Sequence, residues 1–562
     1  MKILNIYSDF KKFEPTFDKW KEEYDLQEQK AQVVLKQKPI DEVAKYEQKR
    51  AKILVNTLAT LDEYAQTKAE DIDSVSQTLL YIAVGALGAI GTFAGKKLAG
   101  ITKSQKLAKT LPSTMGVGFA LLTFLPIVRS TVINQVRANR MARFDGIQSD
   151  KLFHNNNFAV LTDEQQKEVE KRAKNISDTE IDGQTSAINR ANIFNSLSVF
   201  KDLTMKQGEF QYLKNLHDKK MSDDEEKLKT LNFKEEEVKQ SKKDKKLFTQ
   251  ILKKVDMESH YPLERIEKAV NVAYSSLFAG GVLEYLVSDG ILNLLNVKHK
   301  LIRPVLSWGL PVLTIMSLNK QLANFLNDAV KAVRYKKMQE FVNNPSNFKE
   351  VSAQEINEVN IKGEKKENTG FFDFFKQTFK DIDEYKKYQQ TKRIEEKKFA
   401  LAVRNLSLTQ KQKTQAALLR RNAKMVINKL DDQSQKYASA METITESTTI
   451  PLDIIAPILG TFSADKLHKA VSPKGNFGLL YKGLGALIAF LPAAMSEIYF
   501  VGQQRKAKRC AVLIANNQLQ NSDKFLDPSQ KEAEEKSILS NWTFKSSKFD
   551  KSNSFRSFKY MF

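Results

Sequence analysis

The sequence predicts an all-α protein made of three tandem copies of a helical unit of about 185 residues, each with long polar helices and one apolar helical hairpin. The first observation behind this is a recurrence. Phe93-Ala94-Gly95, Phe278-Ala279-Gly280 and Phe462-Ser463-Ala464 stand inside apolar runs at steps of 185 (278−93) and 184 (462−278) residues. A Pro closes the next run each time, at Pro126, Pro311 and Pro492, with steps of 185 (311−126) and 181 (492−311). Near the start of each third a Phe precedes a Lys: Phe10-Lys11, Phe200-Lys201 and Phe379-Lys380. Such a period names the folding unit before any local motif is read. The units are taken as 1–190, 191–368 and 369–535, with apolar hairpins over 74–128, 269–319 and 447–504. Residues 536–562 form a basic, aromatic tail, expected to be disordered.

Units 1 and 3 agree most closely. Ala51 to Leu58 matches Ala423 to Leu430, and Gly91-Thr92-Phe93 matches Gly460-Thr461-Phe462. After each hairpin, Thr162, Ser352 and Asp527 precede Gln165, Glu355 and Gln530 at the spacing of a capping box. There the first side chain accepts a free backbone N–H and the second reaches back, so a short helix is expected to start at each.

The second observation is the scarcity of punctuation. The 562 residues hold only 22 Gly and 13 Pro, and neither occurs between Gly370 and Pro451 or between Gly208 and Pro262. Each costs a helix about 1–3 kcal/mol, so intervals without them hold long helices, whereas strands would need turn residues that are missing. From Glu384 to Leu430 apolar residues recur at helical spacing, which predicts helical arms or coiled-coil-like hairpins.

The third observation is the pairing of the apolar runs. In unit 1, 22 uncharged residues separate Asp73 from Lys96 (96−73−1) and 19 separate Lys109 from Arg129 (129−109−1). Both approach the roughly 20 residues that a helix needs to cross a bilayer. Gly85, Gly88, Gly91 and Gly95 share one helical face, which suits close helix packing. The runs weaken through units 2 and 3, where Glu284, Asp289, Asp453 and Glu497 intrude as candidate intramembrane acids. The expectation is three membrane-inserted hairpins packed on one another through Gly-rich faces.

Charge points the same way. The net charge is +22, and basic residues flank the hairpins at Lys96, Lys97, Arg137, Arg140, Arg143, Arg505, Lys506, Lys508 and Arg509. Lys or Arg beside a bilayer is attracted to anionic headgroups by about 1 kcal/mol each, so an anionic membrane surface is the expected partner. The hairpin tips and the segments after the hairpins are both basic, which conflicts with a simple spanning topology under the positive-inside rule. That points to re-entrant or shallow insertion at a membrane, with the large helical regions on the cytoplasmic side. No nucleic-acid module accompanies the charge, which argues against nucleic acid.

No signature of catalysis appears. The five histidines are scattered singly, no metal-ligand spacing exists, and Gly91 to Lys97 departs from a phosphate loop at Lys97. Cys510 is the only cysteine; its basic neighbours Lys506 to Arg509 could lower its pKa, but a single thiol without a partner His reads as structural. No catalytic residue, cofactor, metal or small-molecule substrate is assigned. The expected function is a non-enzymatic membrane-associated scaffold whose hairpins dock on a bilayer while long charged helices bind protein partners or a second copy. The alternatives are a six-helix channel or transporter with pseudo-threefold symmetry and, third, a soluble basic helical interaction protein.

Overall fold

A computed structural model describes residues 2–102, 140–177, 207–229, 234–294, 302–360 and 370–471, with individual positions between 105 and 119 and between 481 and 519. Among the described residues every regular element is helical, as the missing turn residues predict. Helix α1 (Lys2–Gln37) leads into α2 (Glu42–Ala99); after a short capped helix, α3 (Asp163–Lys174), come α4 (Gln207–Lys229), α5 (Glu235–Leu294) and α6 (Ile302–Asn343). The chain continues through α7 (Ala353–Glu358), α8 (Phe371–Gln390), α9 (Lys392–Arg404) and α10 (Gln410–Val471).

Three of these dominate. Helices α2, α5 and α10 run for 58, 60 and 62 residues, so each is about 90 Å long at 1.5 Å per residue. Such lengths rest on packing rather than propensity. In the first half of each, aliphatic side chains enter one shared core: Leu54, Leu58 and Leu61 of α2, Ile251 and Val255 of α5, Val426 and Leu430 of α10. Phe153, Phe158 and Phe348, from the segments that follow the return arms, complete that core. Helix α6 returns alongside α5 as the second arm of a hairpin.

The interval from Gly370 to Pro451 is not one uninterrupted arm. It breaks at Thr391 and over residues 405–409, because Thr409 accepts the backbone N–H of Gln412 at 3.3 Å while the Gln412 side chain bonds the Thr409 N–H at 3.1 Å. This local pairing starts a new helix without Gly or Pro. Conversely α5 runs through Pro262 and α10 through Pro451 and Gly460. Of the charge run 219–246, expected as a solvated face, most described side chains are exposed or half-buried, but Asp244 and Lys245 are buried. Asp244 meets the buried Arg50, which also pairs with Glu47 at 2.6 Å.

Two of the three expected capping boxes are formed, at Thr162 with Gln165 and at Ser352 with Glu355. A 3-10 turn ending in a buried Phe precedes each, Asn155–Phe158 and Pro345–Phe348. The pair Asp527 and Gln530 and the tail 536–562 lie outside the described residues. The Glu355 carboxylate takes a hydrogen bond from Lys38 and others from Ser352, which together hold it at about 2. A depressed carboxylate stabilises the fold above its unfolded pKa and loses that contribution as pH falls through the folded value. The α1–α7 contact is therefore expected to loosen between about pH 4.5 and 2, and Lys38→Ala to raise the Glu355 midpoint, both read by NMR titration of Glu355.

Candidate functional site

Where the three long helices come together, each contributes an aspartate one residue after a buried aliphatic one: Leu61-Asp62, Val255-Asp256 and Leu430-Asp431. Arginines from the return arms interleave with them. Arg143 donates to Asp62 at 2.8 Å and pairs with Asp431 at 3.5 Å. Arg334 donates to Asp62 at 3.0 Å and to Asp256 at 2.9 Å, and Arg509 donates to Asp256 at 2.5 Å. The six side chains, 4–19% exposed, alternate in sign and sum to zero. Burial alone would disfavour the Arg334 charge, but Asp62 and Asp256 together outweigh it and hold the guanidinium above its usual range.

These six side chains, hereafter the ring, line a half-open cavity of about 170 Å³ together with Leu58, Leu252 and Ile427, each one turn before its aspartate. On one side the wall departs from this pattern. There Glu63, Gln66, Lys331, Tyr335 and Tyr385 line it, on the seam between α2 and α6 on which α8 packs. Tyr335 and Tyr385 rings lie 5.5 Å apart, and burial pushes both phenols above their usual range.

The shorter leading helices tie the ring region crosswise. Asp18 of α1 bonds Lys506 at 3.2 Å while Phe17 lies 4.3 Å from the His260 ring of α5. His217 of α4 stacks on Phe144 at 4.3 Å and contacts Asn428 of α10 at 3.2 Å. In α8 and α9, Asp381 takes a bond from Lys336 at 2.7 Å and Arg393 pairs with Glu63 of α2. Burial lowers the His217 pKa, so the ring works as a neutral packing and hydrogen-bonding group.

The basic residues read from the sequence as membrane flanks divide here. Arg143 and Arg509 are ring members, Lys506 is buried against Asp18, and Arg140, drawn below its usual pKa by burial, packs over Phe144 at 5.4 Å. These four are drawn toward the protein interior; for Arg143, Lys506 and Arg509 carboxylates from neighbouring helices offset the desolvation, whereas Asp431 and Asp218 oppose it only in part for Arg140. Lys97 is exposed and Lys96 half-buried near the end of α2. Arg137, Arg505, Lys508 and Glu497 lie outside the described residues.

The glycine face has a different partner from the expected one. A Cβ on Gly91 would lie 2.4 Å from the Met115 carbonyl oxygen, and one on Gly95 would lie 2.6 Å from Pro112. Gly116 approaches Thr92 and the Gly88 carbonyl, and Gly460 abuts Gly485. Among the described residues Gly91, Gly95, Gly116 and Gly460 therefore close the two arms of one hairpin on each other. Gly85 is half-buried on the same helix. Of the acids, Glu284 accepts a hydrogen bond from Thr314 across the α5–α6 hairpin at 2.9 Å. Asp289 and Asp453 sit in α5 and α10, with side chains outside the described set.

Cys510 is buried, and burial first, with Asp18 adding, pushes its thiol up to about 12; Lys506 opposes this only in part. The basic neighbours thus fail to activate it. Alkylation by iodoacetamide at pH 8 is expected to be negligible in the folded protein and rapid after denaturation.

The ring was legible in retrospect as an aliphatic-Asp pair repeated in three long helices, but Asp62, Asp256, Asp431 and Arg334 carry no motif that sequence reading isolates. No protein-family model matches the chain, and no curated protein or solved structure is significantly similar to it.

Proposed function

We propose that the chain is a non-enzymatic, membrane-associated scaffold in which three related units share one base and present three hairpins to an anionic bilayer. The triplicate reading is supported by Asp62, Asp256 and Asp431, spaced 194 (256−62) and 175 (431−256), each meeting a return-arm arginine. Within that reading the ring favours one register of units 1 and 3 over another. Asp62 to Asp431 is a step of 369 (431−62), as is Gly91 to Gly460 (460−91), whereas Ala51 to Ala423 implies 372 (423−51). A three-residue slip is close to one helical turn and leaves the same face inward, so matching aliphatic stretches alone do not exclude it.

One observation carries the membrane reading: polarity inverts along the hairpins. At their base six charges are shielded, whereas toward the tips large apolar side chains face outward, including Ile90, Ile101, Phe462, Ile488 and Met495, the last three in hairpin 3. Exposed apolar side chains grouped in this way mark a surface that meets another apolar phase. Exposed Lys97, Lys466 and Lys469 nearby suit anionic headgroups. Among the described residues no helix is long and apolar enough to cross a membrane, so docking through hairpin flanks is the form proposed. Three attachment points on one rigid base multiply weak single-site binding.

Flotation tests this. The full chain is expected to rise with vesicles containing phosphatidylserine, with the double variant Ile90→Asp, Ile488→Asp staying in the dense fraction. Failure of the unaltered chain to float with either anionic or neutral vesicles would overturn the proposal.

A further inference from the structure

We infer that the ring cavity is a binding site for a small zwitterion, a molecule that joins an ammonium group to a carboxylate. The inference stands apart from membrane docking, which involves the opposite ends of the hairpins. The cavity leaves space beside the ion pairs that line it. Its 170 Å³ would hold on the order of ten waters, at about 10–15 Å³ each. A ligand of amino-acid size fits that space.

The lining selects the charge type. With Glu63 and Lys331 added to the six ring members, the wall carries four acids and four bases. A ligand of net charge would face as much repulsion as attraction and would unbalance a buried neutral cluster at high cost. A dipolar molecule avoids both penalties by setting each end against its complement. Arg334 and Lys331, the latter also paired with Glu70, supply donors for a carboxylate on α6. Asp62, paired with Arg143 and Arg334, and Glu63, paired with Arg393, supply the opposing charge on α2, and the neighbouring Tyr335 and Tyr385 offer aromatic faces that attract a cation.

Isothermal titration of the full chain with glycine betaine and with glycine, against sodium acetate and tetramethylammonium chloride at matched ionic strength, tests the assignment. Saturable heat is expected from at least one zwitterion at millimolar concentration or below, and at least about tenfold weaker binding from either single-charge salt. Tyr385→Leu is expected to weaken the zwitterion about tenfold and Tyr385→Phe to leave it within about twofold, because only the first removes the aromatic face. Both variants are first shown by circular dichroism and thermal melting to keep the native helix content. No saturable heat from either zwitterion, equal binding of the single-charge salts, or equal effects of the two substitutions would overturn the inference.

Discussion

Asp256→Ala is expected to destabilise the protein by about 3–5 kcal/mol, because it strips a carboxylate from two arginines at once. Arg334 keeps Asp62 at 3.0 Å, but Arg509 loses the partner it holds at 2.5 Å. Both guanidinium groups stay shielded by the surrounding helices, so water cannot fully replace the missing charge. The loss belongs to the two cations deprived of this carboxylate, and a double variant separates it from loss of packing. Combining Asp256→Leu with Arg509→Met removes one charge of each sign, leaves Arg334, Asp62, Arg143 and Asp431 balanced, and is expected to recover much of the stability. Urea unfolding followed by circular dichroism reads both. An Asp256→Ala protein as stable as the parent would mean that the ring is solvated and contributes no more than a surface ion pair.

Gly460→Val is expected to be the most damaging glycine substitution. A Cβ there would lie 2.1 Å from the Gly485 carbonyl oxygen and 2.5 Å from the Ala489 Cβ, and neither a backbone carbonyl nor a helical Cβ can swing aside. The arms of hairpin 3 must part, at a cost of roughly 1–3 kcal/mol of strain and lost contact. Amide hydrogen exchange should therefore accelerate on both arms of that hairpin while the base around Leu430 stays protected. Gly100→Ala is the control. There the nearest atom would be 3.4 Å away and φ is −68°, so the change is expected to be neutral.

The two variants probe different levels of the same molecule. Ring charges hold the long helices to one another across the chain, whereas the glycines close hairpins 1 and 3 on themselves. A scaffold that docks through hairpin tips needs both: arms that stay closed, and a base that keeps the arms together as one multivalent unit.

The helical class and two capped helix starts could be read from the order of residues, whereas the breaks at Thr391 and over residues 405–409 could not. Helix is written locally, in the scarcity of Gly and Pro, in side-chain spacing and in capping pairs such as Thr162 with Gln165. The close approach of glycines was legible too, since Gly91 and Gly95 lie on one face of any helix built from that segment. Their partner was not, because a glycine says that something comes near without saying what. It took the folded arrangement to turn Arg143 and Arg509 inward rather than toward a headgroup, and to bring Asp62, Asp256 and Asp431 together. A charge in a sequence carries no sign of its surroundings. Whether a guanidinium stays in water or enters the interior depends on a carboxylate up to hundreds of residues away, such as Asp256 for Arg509.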